Sequence, residues 1–157
     1  MKKRKVYVAS PLGFSDAGRY YLKKYLLPRV RKLGLDVLDP WDKVINKNTV
    51  EIAGKSKTMP KNVAMGIGKK NAEMIRDCDV VLAVLDGSDV DSGVAAEIGY
   101  AHGIGKRILG YRGDSRLTGE SARCLVNLQV ESFIEKSGGK ISMSLDQLLK
   151  SLGGRAR

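Results

Sequence analysis

The sequence predicts an α/β fold: a flavodoxin-like, three-layer arrangement with a five-stranded parallel sheet between two layers of helices. Short runs of β-branched residues alternate with longer segments of helical periodicity, which is the order that parallel strands and their crossover helices follow. The run at residues 80–85 is apolar throughout, as expected of a strand buried on both faces. A chain of 157 residues, 43% of them hydrophobic, can build one substantial core. We therefore predict a single domain over residues 1–157.

The first strand and the first helix follow each other closely. Residues 6–10 form a short β-branched and aromatic run, which predicts the strand. Ser15 or Asp16 can cap the helix, and Gly34 is suited to end it. Pro28 lies inside this helix and should kink or split it, because proline has no backbone N–H to donate.

A second strand is predicted over residues 35–38, and the chain then changes character. Residues 42–62 are polar, lysine-rich and aperiodic. About twenty such residues inside a compact domain indicate a functional segment, and we predict an active-site lid. A helix then runs to Arg76, with its apolar residues on one side: Ile67, Met74, Ile75 and Cys78.

The third strand, at residues 80–85, leads to three carboxylates. Asp86 ends the strand, Asp91 or Ser92 can cap the next helix, and Glu97 lies two turns into that helix. At about 100° per residue, Glu97 falls at the edge of the helix's apolar stripe. We expect the three carboxylates to converge near the carboxyl end of one strand, where open α/β sheets bind ligands.

Each carboxylate also has a structural explanation. An aspartate after a strand is often a turn residue, and one at a helix start is often a cap. Glu97 is harder to explain in this way, because a carboxylate on an apolar edge is costly unless it is paired or functional.

The remaining predicted elements continue the alternation of strand and helix. They are a fourth strand at 107–111, a polar loop at 112–118, a helix within 120–135, a fifth strand near Ile141, a last helix capped by Ser144, and a frayed tail at 153–157.

The formal net charge of +11 suggests a polyanionic partner or a basic proteome. The basic residues are spread along the chain with few aromatic residues among them, so we consider nucleic-acid binding unlikely. No apolar run reaches the length of a membrane span, and no signal-peptide apolar region follows the basic start. We expect a cytoplasmic protein that does not contact a membrane.

The chain is poor in metal ligands. The two cysteines, Cys78 and Cys124, have neither a disulfide-framework spacing nor a metal-site spacing. His102 is the one histidine in the sequence, which argues against a His-based zinc site and against a Ser-His-Asp triad. We expect His102 at a helix surface or seam, and no metal ion.

Four segments of the chain resemble the nucleoside 2-deoxyribosyltransferase family. They are VYVASP at 6–11, KNAEMIRDCD at 70–79, VLDG at 84–87 and DSGVAAEIGYA at 91–101. The resemblance extends to LVNL at 125–128, and its most specific part is the pattern D-x-G-x-x-x-E-x-G within 91–101. The predicted lid at 42–62 is not matched.

The resemblance implies the same five-stranded fold and an enzyme that moves a 2-deoxyribosyl group between nucleobases without a cofactor. In this family pattern, Glu97 matches the nucleophile and Tyr7 matches the tyrosine that holds the nucleophile's carboxylate. Asp86 and Asp91 match the carboxylates that handle the base and its proton. Asp89 is a possible substitute for Asp91, although the spacing to Glu97 favours Asp91.

Two further residues are implied to bind substrate. Asn127 matches an asparagine that reaches the sugar in a neighbouring subunit's site, and Phe14 resembles an aromatic residue that lines the base pocket. The expected partners are therefore deoxynucleosides and free nucleobases, in a homo-oligomer with shared active sites. Structural alternatives remain open: Tyr7 could be a core strand residue, and Asn127 could be a helix cap.

The residue types suit the reaction. Cleavage of an N-glycosidic bond develops cationic character at the anomeric carbon, which a carboxylate can trap covalently while an acid protonates the leaving base. The main alternative is a (deoxy)nucleoside 5′-monophosphate N-glycosidase, which would use the same glutamate with water as acceptor. A third hypothesis is a non-catalytic nucleotide-binding or nucleic-acid-binding module.

Overall fold

The computed structural model describes residues 3–43 and 59–154. Its five strands are all parallel and lie in the order β2-β1-β3-β4-β5. This is the flavodoxin-like order, so the predicted fold class is confirmed. The strands are β1 (Lys5–Ala9), β2 (Asp36–Leu38), β3 (Val80–Val84), β4 (Arg107–Tyr111) and β5 (Ile141–Ser142).

Helices connect the strands across both faces of the sheet. The first, α1, is continuous but has three parts: Asp16–Tyr21 and Leu27–Lys32 are α-helical, and Leu22–Leu26 between them is π-helical. The others are α2 (Pro40–Lys43), α3 (Lys61–Asp77), α4 (Ser92–Gly103), α5 (Leu128–Lys136) and α6 (Leu145–Gly153), and a 3-10 turn spans Pro11–Phe14.

The sheet separates two hydrophobic cores. One core lies beneath α3, α4 and α5 and includes Tyr7 and Ala9 of β1. The other lies beneath α1 and α6 and includes Val6 and Val8 of the same strand. Because successive side chains of a strand point to opposite faces, this alternation directs Tyr7 toward the layer that contains Glu97.

The predicted helix ends are confirmed at several positions. The Ser15 hydroxyl accepts a hydrogen bond from the Gly18 N–H at 3.0 Å, and Ser144 accepts one from Gln147 at 3.3 Å. Gly34, just beyond α1, has a φ of 77°, a left-handed conformation that glycine adopts without steric cost.

Pro28 does not split the first helix, although a split was one of the two predicted outcomes, and the α-helical geometry is interrupted just before it. The helix continues through Pro28, but a π-helical turn precedes it, and the Leu27 N–H donates to the carbonyl of Leu22, five residues earlier. A regular turn would bring the proline ring against a carbonyl. The wider turn provides the space for it, as π-bulges do elsewhere.

Two predicted segments fall largely outside the described residues. Of the proposed lid at 42–62, residues 44–58 lie outside them, while its two ends belong to α2 and to the start of α3. Of the proposed tail at 153–157, Gly153 is the last residue of α6, and residues 155–157 lie outside. Among the described helices, none is both long enough and apolar enough to cross a bilayer.

Candidate active site

Glu97 and Tyr7 meet at the interface between α4 and the sheet. Glu97 is half-buried and lies next to the fully buried Ile98 on the inner stripe of α4. Tyr7 is completely buried in β1, and its hydroxyl donates a hydrogen bond of 2.6 Å to Oε1 of Glu97. The structure therefore gives the carboxylate a fixed partner on a central strand.

Asn71, on α3, is a second partner of Glu97. Its Nδ2 donates a hydrogen bond of 3.1 Å to Oε1, the same oxygen that Tyr7 contacts. The sequence analysis did not select Asn71, although a signal was present. Asn71 is four residues after Ile67 and four before Ile75, so it lies on the predicted apolar side of its helix.

The electrostatic setting of Glu97 is a balance between burial and hydrogen bonding. Burial raises the pKa of Glu97, the hydrogen bonds from Tyr7 and Asn71 oppose that rise, and the nearby charge of Asp91 adds to it. Burial and the charge of Glu97 together raise the pKa of the Tyr7 hydroxyl. Tyr7 therefore remains a neutral donor, and its hydrogen bond favours the ionised form of Glu97.

A cavity of about 310 Å³ lies between α3 and α4, next to Glu97. Glycine and alanine contribute half of its lining, and their small side chains leave open space between the two helices. The lining residues are Gly68, Asn71, Ala72, Ile75, Gly93, Ala96, Glu97 and Tyr100. A cavity of this size is at the lower end of the usual range for small-molecule sites.

Asp91 has the cap position predicted for it. Its Oδ1 accepts hydrogen bonds from the N–H groups of Gly93 at 3.0 Å and Val94 at 3.1 Å, at the start of α4. Asp91 is also near enough to Glu97 to raise its pKa. The possible substitute, Asp89, accepts a hydrogen bond from the adjacent Val90 N–H at 2.7 Å.

Asp86 links two loops at the carboxyl edge of the sheet. Its Oδ1 accepts hydrogen bonds from the backbone N–H groups of Gly113 at 2.6 Å and Asp114 at 2.9 Å, in the loop after β4. Arg112 supports this junction. Its guanidinium is fully buried and donates to the backbone carbonyls of Leu85 and Gly87, the residues immediately before and after Asp86.

Phe14 lies on the first loop after β1, where its side chain is 73% exposed. Its ring meets the ring of Trp41 edge to face, with centroids 4.7 Å apart. The Trp41 indole N–H donates to the Ser10 carbonyl at 3.0 Å, which holds this aromatic pair where β1 and β2 end.

Asn127 is the N-cap of α5. Its Oδ1 accepts from the N–H groups of Gln129 at 3.0 Å and Val130 at 3.3 Å, and its Nδ2 donates to Glu120 at 2.6 Å. The structural alternative for Asn127 is thus present in the fold, and its proposed role toward a neighbouring subunit remains a prediction.

The six predicted site residues are therefore not all joined to one another. Tyr7 contacts Glu97 directly, and Asp91 acts on Glu97 through its charge. Within residues 3–43 and 59–154, no hydrogen bond joins Asp86, Phe14 or Asn127 to Glu97. Across the same ranges, no group of three or more His, Cys, Asp or Glu side chains is arranged to hold a metal ion. His102 stacks on Phe133 at the seam between α4 and α5.

Asp39 is a buried carboxyl group that the sequence analysis did not single out. It follows β2, is 1% exposed, and accepts a hydrogen bond from the Trp41 N–H at 3.1 Å through Oδ1. Its Oδ2 is buried without a hydrogen-bond partner among the described residues. Burial raises its pKa from 3.8 to about 6.

Several solved structures are similar to this chain over nearly its whole length. A conserved protein from Enterococcus faecalis V583 is 28% identical, with a TM-score of 0.76, covering 99% of this chain and 100% of that one. A 2-desoxiribosyltransferase from Leishmania mexicana is 21% identical, with a TM-score of 0.70, covering 98% and 99%. A CMP N-glycosidase from Clostridium botulinum is 16% identical, with a TM-score of 0.54, covering 95% and 98%.

At these identities the last two likenesses show the fold and do not assign an activity. No curated protein matches the chain in sequence. The sequence model of the nucleoside 2-deoxyribosyltransferase family matches residues 6–136, which include both Tyr7 and Glu97. The chain belongs to the nucleoside 2-deoxyribosyltransferase family.

Proposed function

We propose that this protein transfers a 2-deoxyribosyl group from one nucleobase to another through a covalent intermediate on Glu97. The observation that carries the proposal is the half-buried Glu97 carboxylate, held by Tyr7 at 2.6 Å beside a 310 Å³ cavity. A carboxylate in this position has a fixed orientation, a donor whose hydrogen bond favours its ionised form, and space next to it for a sugar.

In the first step, Glu97 attacks the anomeric carbon, and the glycosidic C–N bond breaks with its electron pair moving to the base nitrogen. The departing base takes up a proton, and the sugar remains as an ester of Glu97. A second base then attacks the same carbon through its ring nitrogen, and the ester C–O bond breaks with its electron pair returning to Glu97, which restores the carboxylate. The proton of the attacking nitrogen passes to one of the two carboxylates that handle the base, Asp86 or Asp91. Two displacements at one carbon retain the configuration, as in retaining glycosidases.

Asp86 and Asp91 are suited to proton handling for the same geometric reason. In each, the hydrogen bonds within the described part of the chain end on Oδ1. Backbone N–H groups thus fix each side chain and leave Oδ2 available to a ligand. We assign these two carboxylates to the base and its proton, with Phe14 lining the base pocket.

The alternative is hydrolysis of a (deoxy)nucleoside 5′-monophosphate. A phosphate would add up to two negative charges to a site where Asp91 already raises the pKa of Glu97. Three arginines have other partners: Arg19 pairs with Asp16, Arg76 donates to the Tyr100 hydroxyl, and Arg112 donates to backbone carbonyls. These contacts favour a substrate with a free 5′-hydroxyl.

The test is incubation with deoxyinosine, with and without free adenine, followed by chromatography. Formation of deoxyadenosine supports transfer. Release of hypoxanthine at the same rate with and without adenine, with no deoxyadenosine, would replace transfer by hydrolysis. Parallel reactions with deoxyinosine 5′-monophosphate compare the two 5′ groups, and Glu97→Gln protein provides the control for reaction on the glutamate.

We also propose that the active unit is a homo-oligomer in which Asn127 reaches the sugar site of a neighbouring subunit. The support is the family pattern together with the position of Asn127 at the exposed start of α5. Leu128, the next residue, is 52% exposed, and an exposed leucine beside the cap would become buried in such an interface.

A further inference from the structure

The hydrogen bonds that reach Glu97 end on a single oxygen. Tyr7 donates to Oε1 from the sheet, and Asn71 donates to Oε1 from α3. Within the described ranges, no donor reaches Oε2. The two carboxylate oxygens are therefore in different environments, although they are chemically equivalent in the free side chain.

This difference matters for a nucleophile. Hydrogen bonds to a charged oxygen stabilise its charge and lower its readiness to form a new bond. An oxygen with no donor keeps its lone pairs free, and no hydrogen bond has to break when it attacks. Two donors on Oε1 also fix the plane of the carboxylate, so Oε2 has one direction in which to point.

Packing does not explain the presence of an asparagine at position 71. Its Oδ1 is buried with no hydrogen-bond partner in the described part of the chain, which is a destabilising arrangement. A leucine of similar size would avoid this cost on the apolar side of α3. The polar side chain is retained at the expense of stability, a pattern typical of functional positions.

An amide also has the appropriate charge for this position. It can donate a hydrogen bond without adding positive charge, so Glu97 is stabilised but not neutralised in an ion pair. A carboxylate at the same position would repel the charge on Glu97 and favour its protonated form. Asparagine is thus the residue type that holds an anion in place and leaves it reactive.

We propose that Asn71 is a positioning residue that, together with Tyr7, fixes Oε1 of Glu97 and leaves Oε2 as the atom that attacks the anomeric carbon. This inference rests on the proposed function of Glu97 as the nucleophile. It adds a residue on α3 to the site and assigns different roles to the two oxygens of one side chain.

The test compares Asn71→Leu with the wild-type protein. Loss of one donor to the carboxylate should raise the pKa of Glu97, because the Asn71 hydrogen bond opposes the rise that burial causes. The acid limb of the pH profile of kcat/KM for nucleobase exchange should therefore shift toward higher pH. We expect kcat to fall roughly 10- to 100-fold, KM to change less than about threefold, and the melting temperature to be no lower than in the wild type.

Glu73→Leu is the matched control, because Glu73 is an exposed polar residue on the same helix and does not line the cavity. It should leave kcat and the pH profile unchanged. A lower melting temperature for Asn71→Leu with an unshifted acid limb would show that Asn71 is only structural and would overturn the inference. Unchanged kcat and pH profile would overturn it equally.

A second measurement separates this inference from the proposed function. The pKa of Glu97 can be measured directly by NMR of protein labelled with ¹³C at the glutamate carboxyl carbon, with Glu97→Gln used to assign the resonance. A pKa that rises in Asn71→Leu supports the positioning role without any turnover, and an unchanged pKa refutes it. Base exchange by Glu97→Gln at the wild-type rate would instead refute the nucleophile assignment.

Discussion

Replacing Arg112 tests whether one buried side chain holds the two loops that carry Asp86. Its guanidinium is 0% exposed and donates to three backbone carbonyls, those of Leu85, Gly87 and Arg116. In Arg112→Met the aliphatic part of the side chain is kept and the donors are lost. Each buried carbonyl left without a partner costs about 1–3 kcal/mol, and removal of the buried charge offsets part of this sum.

We therefore expect Arg112→Met to lower the free energy of unfolding by about 3 kcal/mol. For a domain of this size, that corresponds to a decrease in melting temperature of roughly 6–12 °C. Circular dichroism or calorimetry measures it. Base exchange should also fall, because the backbone N–H groups that hold Asp86 follow Arg112 directly in sequence.

Arg116→Met is the matched control for the same change of charge and side-chain type. Arg116 is exposed and pairs with Asp114 at the surface, where an ion pair contributes less than about 1 kcal/mol. A difference of roughly 2 °C in melting temperature corresponds to about 1 kcal/mol in a domain of this size. If the melting temperatures of Arg112→Met and Arg116→Met differ by less than that, the reasoning about the buried guanidinium is refuted.

Four further predictions address the site and the core. Glu97→Gln should reduce base exchange by at least about 10³-fold while keeping the melting temperature, measured by turnover assays and calorimetry. A 2-fluoro-2-deoxy nucleoside should add one sugar mass to Glu97; peptide mapping that places it on Asp86 or Asp91 would contradict the nucleophile assignment. Mixed oligomers of inactive Glu97→Ala and Asn127→Ala subunits should partly regain activity, and failure despite verified subunit exchange would contradict shared sites. The free energy of unfolding of the wild type should fall by about 2 kcal/mol from pH 4 to pH 6, because folded Asp39 keeps its proton to about pH 6 and the unfolded carboxyl loses it near 3.8. Denaturant unfolding of Asp39→Asn should lack this pH dependence.

The parts of the structure that follow from local sequence were predicted well. The order of strands and helices follows from periodicity, and a parallel sheet follows from their alternation. The caps Ser15, Asp91 and Ser144 were identified because a cap acts within three residues of its own position. Local sequence did not decide between a split and a milder interruption at Pro28: the buried residues Leu22, Leu26 and Leu27 pack α1 against the sheet, and a π-helical turn accommodates the proline without ending the helix.

Contacts between distant segments were harder to predict, and Arg112 is the clearest case. In sequence it starts a polar loop, and arginine is rarely buried without a carboxylate partner. Two of its carbonyl partners, Leu85 and Gly87, follow β3, and the third, Arg116, lies in its own loop after β4. They exist as a set only after β3 and β4 have paired, so no pattern within either segment contains them.

Asn71 and Glu97 show how a site can be partly visible in a sequence. Each is a polar residue on the apolar side of a helix, and a polar residue in such a position needs a partner when it is buried. The sequence shows that both residues need a hydrogen-bond partner. It does not show that they bond to each other, because they are 26 positions apart. The sheet order provides that information. Because β1 lies next to β3, the helices before and after β3 both pack over Tyr7, and the donors of Tyr7 and Asn71 meet at Oε1 of Glu97.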